Sequence, residues 1–267
     1  MGTEPVSTIS TYFRVCDGVR VRFADTKSPS DVTVLLLAPW PESLWAFRRI
    51  WNRLAAVARV VAVDLPGFGH SDGRPELIAP DSSGEFLARL IDQWDLRAPH
   101  VVGPDIGTAA ALFLAAKDPE RVTSLTIGGG AVRFPIEAGG ALKDIIEAPS
   151  LDVVRALDAR TNIGYAVEPG ASFASEPEFH EDYVSAYDLG RFAESARFVR
   201  HYQSRTRYCV ICCRRLRRRP KSWRAATMTS CRGRTTSTLT SSSPTARSIL
   251  STPVTSRGKK QPRNTAA

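Results

Sequence analysis

The sequence predicts an α/β protein in which a mostly parallel sheet is covered by helices on both faces. Short apolar runs at 32–37 and 59–64 are typical of strands that are buried on both sides, and 122–127 is predicted as a further strand. Segments with apolar residues at helical spacing separate these runs, and this alternation favours parallel strands joined by helices. A chain of 267 residues with 43% apolar residues can bury the large core that such an architecture needs.

The segments before residue 130 each carry a local signal for their element. Residues 9–15 and 19–25 alternate in polarity on either side of Asp17-Gly18, a dipeptide typical of a hairpin turn. The recurrence of apolar side chains predicts helices at 44–56 and 83–94. We therefore expect a hairpin followed by alternating strands and helices.

The central segment, residues 100–117, joins a short apolar run to a helix-forming run, with one acid between them. That acid, Asp105, lies midway between Gly103 and Gly107, which is the spacing of a nucleophile elbow, a sharp strand-to-helix turn that requires small flanking residues. The helix N-terminus would keep this carboxylate ionised. An ionised carboxylate can displace halide or open an epoxide, which leaves an ester for water to cleave. The alternative is that Asp105 caps the helix that begins near Ile106.

The net charge of +9 combines two segments of opposite sign. Residues 1–203 contain 20 Lys and Arg against 27 Asp and Glu, a net charge of −7. Residues 204–267 contain 16 Lys and Arg and no acid, a net charge of +16. We therefore treat 204–267 as a separate basic tail.

Targeting signals are weak in this sequence. No apolar run approaches the length of a membrane span. The first residues, Met-Gly-Thr-Glu-Pro, lack the basic and apolar regions of a signal peptide. We therefore expect a cytoplasmic protein that does not enter a membrane.

Three motifs give the chain a resemblance to a known family. They are the elbow at Asp105, the sequence Asp-Leu-Pro-Gly-Phe-Gly-His-Ser-Asp at 64–72, and Pro-Glu-Ser at 41–43. Over about residues 8–203 the chain resembles an α/β-hydrolase of the group that contains epoxide hydrolases and haloalkane dehalogenases. The resemblance implies an enzyme without a cofactor or metal that acts on a small apolar substrate such as an epoxide or a haloalkane.

The resemblance also implies roles for individual residues. Asp105 becomes the catalytic nucleophile, and the backbone N–H groups of Trp40 and Ile106 form the oxyanion hole. His70 is then a loop residue and not the catalytic base. Residues 38 and 39 are Ala-Pro where the family usually has His-Gly, and Ile106 stands where a Trp commonly follows the nucleophile. Because Ile106 has no side-chain donor for a departing halide, the sequence favours an epoxide over a haloalkane.

The resemblance divides the chain into an α/β-hydrolase core at 1–130 and a helical lid at 131–203. Helical patterns in the lid segment occur at 142–147, 151–159, 178–187 and 191–202. Epoxide hydrolases use lid tyrosines to protonate the oxygen of the opening ring. The candidates here are Tyr165, Tyr183 and Tyr187. Packing within the lid is the alternative for each of them.

The tail does not continue the family pattern. The family would supply two more strands, an acid after the first and a catalytic His after the second, but residues 204–267 contain no His, Asp or Glu. One interpretation is a disordered basic tail that binds nucleic acid or directs nuclear import. We expect such a tail to bind polyanions non-specifically and to recognise no specific nucleic acid.

A frameshift is the other interpretation, and the genetic code allows it to be examined. If each codon starts at the third base of the printed one, residues 227–229, Thr-Met-Thr, force an Asp codon, because the last base of ATG precedes AC. Residues 223–231 can then encode A-G-R-H-D-D-V-V, and 253–265 can encode G-H-F-A-W-E-E-A-A-E-E-Y. These segments would supply the missing acid and His. In this interpretation the C-terminal strands and helix of the fold are missing from the printed chain.

The most favoured function from sequence is a hydrolase that uses Asp105 through a covalent ester and resembles epoxide hydrolases more than haloalkane dehalogenases. The printed chain would be inactive in turnover, because it lacks the acid and the base. Two other classes of function remain open. One is a non-catalytic binding protein of the same fold, and the other is a nucleic-acid-binding protein that uses the tail.

Overall fold

The computed structural model describes residues 9–131, 136–167, 177–202, 204 and 224–229. These residues form a seven-stranded sheet in the order β1-β2-β4-β3-β5-β6-β7. The strands are β1 (Tyr12–Cys16), β2 (Val19–Asp25), β3 (Thr33–Leu37), β4 (Arg59–Val63), β5 (His100–Pro104), β6 (Ser124–Gly128) and β7 (Arg224–Thr229).

The sheet is mixed but mostly parallel, as predicted. The first hairpin, β1 and β2, turns at Asp17-Gly18 and pairs antiparallel with register Cys16↔Val19, and β2 is also antiparallel to β4. All other neighbours pair in parallel. The carboxyl ends of β3, β4 and β5 therefore meet at one edge of the sheet, where ligand sites form in such folds.

Helices cover both faces of the sheet before residue 130. They are α1 (Arg48–Ala55), α2 (Pro80–Gln93) and α3 (Ile106–Lys117). A short 3-10 turn, Leu44–Phe47, precedes α1, so the helix predicted at 44–56 begins with a tighter turn. The helix predicted at 83–94 starts three residues earlier, at Pro80, because proline is well suited to the first turn of a helix.

The core consists of two apolar clusters separated by the sheet, because successive side chains of a strand point to opposite faces. One cluster packs α2 and α3 against one set of strand residues, Leu35, Leu37, Val61 and Val63. The other packs Phe47 and Trp51 against the alternate set, Leu36, Val60 and Ala62. Burial on both faces explains why β3 and β4 appear in the sequence as unbroken apolar runs.

The segment predicted to form the lid is helical. Its helices are α4 (Gly140–Glu147), α5 (Leu151–Arg155), α6 (Ala159–Val167), α7 (Pro177–Ser185), α8 (Arg191–Ser195) and α9 (Arg197–Arg200). The single helix predicted at 151–159 is wrong, since α5 ends at Arg155 and α6 begins at Ala159. Asp158 causes the break, because its carboxylate accepts the N–H of Thr161 at 3.2 Å and so caps α6 instead of continuing α5.

The basic tail contains one described element, β7, which pairs in parallel with β6. The sheet thus extends by one strand into the segment that the sequence analysis set apart at residue 204. Apart from Ser204, the remainder of that segment, including the arginine-rich stretch, lies outside the described residues. Within the described parts of the chain, every helix is too short or too polar to cross a membrane.

Candidate active site

The candidate site lies at the carboxyl edge of the sheet, where two neighbouring strands end. Trp40 follows β3, and Asp105 follows β5 directly. Since these strands pair in parallel with Leu36 opposite Val102, their following residues lie side by side. The main-chain N–H of Trp40 donates to Oδ2 of Asp105 at 2.9 Å. The sequence thus correctly predicted the elements that bring these two residues together.

The backbone at Asp105 has the sharp turn that the sequence predicts. Asp105 has φ 48° and ψ −119°, a conformation that costs a non-glycine residue roughly 1–3 kcal/mol. The turn is so tight that a Cβ on Gly103 would lie 2.4 Å from the carbonyl oxygen of Gly107. Asp105 occupies the N-cap position of α3, but its side chain makes no capping hydrogen bond. The capping alternative is therefore wrong.

A buried threonine holds this turn in place. The hydroxyl of Thr108 donates to the carbonyl of Gly103 at 2.7 Å and accepts the N–H of Gly128 at 3.2 Å. The N–H of Asp105 donates to the carbonyl of Gly128 at 2.8 Å. Strand β6 thus stabilises the strained residue from the side. Sequence analysis missed Thr108, since a threonine in the first turn of a helix gives no signal of a cross-strand role.

Protein surrounds the carboxylate of Asp105 closely. Burial raises its pKa to about 6, while the N–H groups of Trp40 and Ile106 act in the opposite direction. A pKa of about 6 still favours the ionised carboxylate at neutral pH, but the helix N-terminus does not prevent the upward shift of the pKa. Burial and the charge of Asp105 also raise the pKa of Glu42. Glu42 belongs to the Pro-Glu-Ser motif at 41–43, which does not by itself predict this interaction with Asp105.

The structure describes the side chains of two of the three candidate tyrosines. The Tyr165 side chain lies outside the described residues. The Tyr183 hydroxyl accepts from Arg48 at 3.3 Å. The Tyr187 hydroxyl accepts the N–H of Gly69 at 3.2 Å and donates to the carbonyl of Glu42 at 3.3 Å. Burial raises the pKa of both described tyrosines, so both are protonated, and their contacts support the packing alternative.

Two of the four histidines have ring contacts that explain their positions without catalysis. His70 lies in the loop after β4, and its Nε2 is 3.0 Å from the main-chain oxygen of Asp182. His100 begins β5, at the opposite end of that strand from Asp105, and its Nδ1 is 2.7 Å from the Ser124 hydroxyl. The contact of His70 agrees with the expectation that it is a loop residue.

A second carboxylate, Asp64, is fully buried beside the site. It accepts the N–H of Leu44 at 2.7 Å and that of His70 at 3.0 Å, and Arg22 lies 3.7 Å away. Burial raises its pKa to about 6 despite these partners. Asp64 therefore ties the loop after β3 to the loop after β4.

The lid carboxylate Asp182 joins α7 to the core. Arg22 donates to both of its oxygens, at 2.7 and 3.1 Å, and the Ser43 hydroxyl donates at 2.5 Å. Burial alone would raise its pKa, but hydrogen bonds from His70, Arg22 and Ser43 lower the pKa to about 2. Sequence analysis missed this contact because Arg22 and Asp182 are 160 residues apart.

Trp40 joins the site to α8. Its indole N–H donates to the hydroxyl of Ser195 at 2.9 Å, and its ring stacks on Phe192 with centroids 5.6 Å apart. The Ser195 hydroxyl donates in turn to the carbonyl of Phe192 at 2.7 Å. Trp40 therefore contacts Asp105 with its main chain and α8 with its side chain.

Part of this chain is similar in sequence to known proteins. Residues 32–145 match the family described as alpha/beta hydrolase fold. The chain is 30% identical over 167 residues to a 2-hydroxy-6-oxononadienedioate/2-hydroxy-6-oxononatrienedioate hydrolase of Paraburkholderia phymatum, covering 56% of this chain and 57% of that protein. It is 37% identical over 117 residues to the dihydrolipoyllysine-residue acetyltransferase component of the acetoin cleaving system of Cupriavidus necator, covering 43% and 30% respectively. The chain thus spans between about a third and just over half of these relatives.

Solved structures show the same fold over a larger share of the chain. Cfl2 from Burkholderia cenocepacia has a TM-score of 0.67 at 24% identity, covering 79% of this chain and 76% of that one. A haloalkane dehalogenase DbeA loop variant from Bradyrhizobium elkanii has 0.64 at 20%, covering 78% and 75%. The epoxide hydrolase CorEH has 0.60 at 18%, covering 76% of both chains. The chain therefore has the α/β-hydrolase fold.

Proposed function

We propose that this chain is an α/β-hydrolase in which Asp105 is a nucleophile that forms a covalent ester with an epoxide. The observation that supports this most strongly is the Asp105 carboxylate itself. It lies at the apex of a strained elbow, it does not cap its helix, and its Oδ2 accepts the Trp40 N–H at 2.9 Å. Its remaining oxygen, Oδ1, is then the attacking atom.

In the first step, Oδ1 attacks a ring carbon, the bond from that carbon to the ring oxygen breaks, and the ring oxygen takes up a proton. The product is a hydroxyalkyl ester of Asp105. In the second step, water adds to the ester carbonyl, and the N–H groups of Trp40 and Ile106 stabilise the negative charge that develops on Oδ2. The tetrahedral intermediate then releases a diol and restores the carboxylate.

The second step needs a base, and the tail has no residue of a suitable type. Residues 204–267 contain no His, Asp or Glu, and the His70 ring is engaged by Asp182. We propose that the ester therefore accumulates, and that the tail results from a frameshift after about residue 203. The gene sequence across residues 202–207 tests this, since a frameshift requires the alternative frame to stay open and to encode the acid and His.

The test of the proposed function uses the full chain and styrene oxide. Intact mass should show one epoxide equivalent added to the protein at neutral pH, and Asp105→Asn should abolish this addition. Because both proteins keep the same cysteines, the variant corrects for alkylation of thiols. A wild-type chain that gains no more mass than Asp105→Asn would contradict the proposal. 1-Chlorobutane should react much more slowly, since Ile106 offers no side-chain donor to the departing chloride.

A further inference from the structure

The loop that carries Trp40, residues 38–44, is held by two different parts of the molecule. The core holds its ends. At the first end, the N–H of Ala38 donates to the carbonyl of Val63 at 3.0 Å. At the other end, the N–H of Leu44 donates to Asp64 at 2.7 Å. Both partners belong to β4 or to the residue that follows it.

The lid holds the middle of the same loop through three side chains. The Trp40 indole donates to Ser195 at 2.9 Å, and the Ser43 hydroxyl donates to Asp182 at 2.5 Å. Between these two positions, the carbonyl of Glu42 accepts from the hydroxyl of Tyr187 at 3.3 Å. These contacts come from three separate positions: α7, the turn after it, and the end of α8.

These lid groups are themselves fixed, so they can impose a position on the loop. Ser195 is fully buried and bonds to the carbonyl of Phe192. Asp182 is anchored by two hydrogen bonds from Arg22. Tyr187 is fully buried and accepts the N–H of Gly69. A side chain whose own rotamer is locked holds its partner more precisely than a freely rotating one.

We propose that the lid positions the oxyanion hole, with Ser195, Asp182 and Tyr187 as positioning residues that act through the loop at 38–44. This inference rests on the proposed function of Asp105. With these three contacts in place, the Trp40 N–H lies 2.9 Å from Oδ2 of Asp105, and loss of any one of them removes a hydrogen bond that holds the loop. Tyr187 serves the loop in this arrangement and does not protonate the substrate.

The sharpest test is at Ser195, because its hydroxyl contacts the loop through the Trp40 indole N–H. With styrene oxide, the rate constant of Asp105 alkylation at saturation should fall about tenfold in Ser195→Ala, with the half-saturating concentration unchanged. Ser195→Thr keeps the hydroxyl and should restore most of the rate. The matched control is Ser185→Ala, since the Ser185 hydroxyl donates to the carbonyl of Glu181 within its own helix at 2.6 Å.

A double-mutant cycle separates positioning from general loss of structure. Trp40→Phe keeps the main-chain N–H and the stacked ring but removes the indole donor, so it should lower the rate as much as Ser195→Ala does. If Ser195 acts through Trp40, adding Ser195→Ala to Trp40→Phe should change the rate no further. Independent, multiplying effects of the two substitutions would overturn the proposal. Urea midpoints of all variants serve to exclude unfolding as the cause.

The Asp182 contact gives a second, independent arm. Asp182→Asn should slow alkylation at saturation, whereas its neighbour Glu181→Gln should not, because the Glu181 side chain pairs with the exposed Arg160. Failure of this inference can be told apart from failure of the proposed function. If wild type forms no adduct at Asp105, the proposed function is wrong. If wild type forms it and Ser195→Ala forms it equally fast, only the lid inference is wrong.

Discussion

Asp64 and Asp105 follow β4 and β5, the two strands that flank β3, and burial raises the pKa of each to about 6. Their surroundings differ in kind. Asp64 has a cation, Arg22, and two main-chain N–H groups that hold separate loops. Asp105 has main-chain N–H groups but no cationic partner among the described residues, and its backbone is strained. Burial is therefore common to both aspartates, whereas backbone strain and the lack of a cationic partner among the described residues distinguish Asp105, the proposed nucleophile.

The largest expected effect is on the chemistry of Asp105. Asp105→Asn should lower the rate of ester formation with styrene oxide by roughly 10³-fold or more, since an amide oxygen is a far weaker nucleophile than a carboxylate. Its urea midpoint should change little. Quenched time courses followed by intact mass would measure the rate. Residual ester formation near the wild-type rate would remove the distinction between the two aspartates.

The reverse pattern is expected at Asp64. Asp64→Ala should lower the free energy of unfolding by about 3–5 kcal/mol, because it leaves Arg22 without one of its buried partners and two N–H groups without acceptors. Urea denaturation would measure this. The matched control is Asp72→Ala in the same loop, where a half-exposed carboxylate meets Arg20 at 3.5 Å and should contribute less than about 1 kcal/mol. Equal effects at both positions would contradict a structural role for Asp64.

The carboxylate of Asp182 should stabilise the fold in a pH-dependent way. Because the pKa of Asp182 is lowered to about 2, its contribution is present above the unfolded pKa near 4 and is lost as the pH falls towards 2. Asp182→Asn should therefore cost about 2 kcal/mol at pH 7. The difference from wild type should shrink between about pH 4 and pH 2. A difference that stays constant over this range would mean that the ionised form is not what the lid contact requires.

The last expected effect is the pH dependence of the reaction at Asp105, the proposed nucleophile. The deprotonated form of Asp105 reacts, so the alkylation rate should be level above pH 6 and fall about tenfold per pH unit below it. Protonation of Asp64 occurs over the same range, but its raised pKa means that the folded state gains relative stability as the pH falls from 6 to 4. Unfolding at each pH should be followed by circular dichroism. A rate that stays level down to pH 4 would contradict the raised pKa of Asp105.

Local sequence patterns predicted the first hairpin, the buried strands and the turn at Asp105. Asp17-Gly18 marked the hairpin, the unbroken apolar runs marked buried strands, and the small residues around Asp105 marked the elbow. The break at Asp158 was missed because apolar spacing alone continues through a capping residue. Helix boundaries depend on such single hydrogen bonds, which periodicity does not register.

The contacts that hold the site together could not be predicted in the same way. Arg22 and Asp182 meet across 160 residues, and Trp40 and Ser195 across 155. No short pattern connects residues at such separations, and none of these side chains indicates its partner when considered alone. The resemblance to epoxide hydrolases drew attention to Tyr183 and Tyr187 as acids. The lid residues that reach the Trp40 loop, Asp182 and Ser195, carried no signal of their own.

The most direct test of the account compares the two aspartates in one protein. Wild-type chain is treated with one equivalent of styrene oxide at pH 7, digested, and mapped by tandem mass spectrometry on the peptides that contain Asp64 and Asp105. The account predicts an ester on Asp105 and none on Asp64, because Asp64 is fully buried and both of its oxygens accept main-chain N–H groups, whereas Oδ1 of Asp105 is the proposed attacking oxygen. Modification of Asp64, or of neither aspartate, would contradict it.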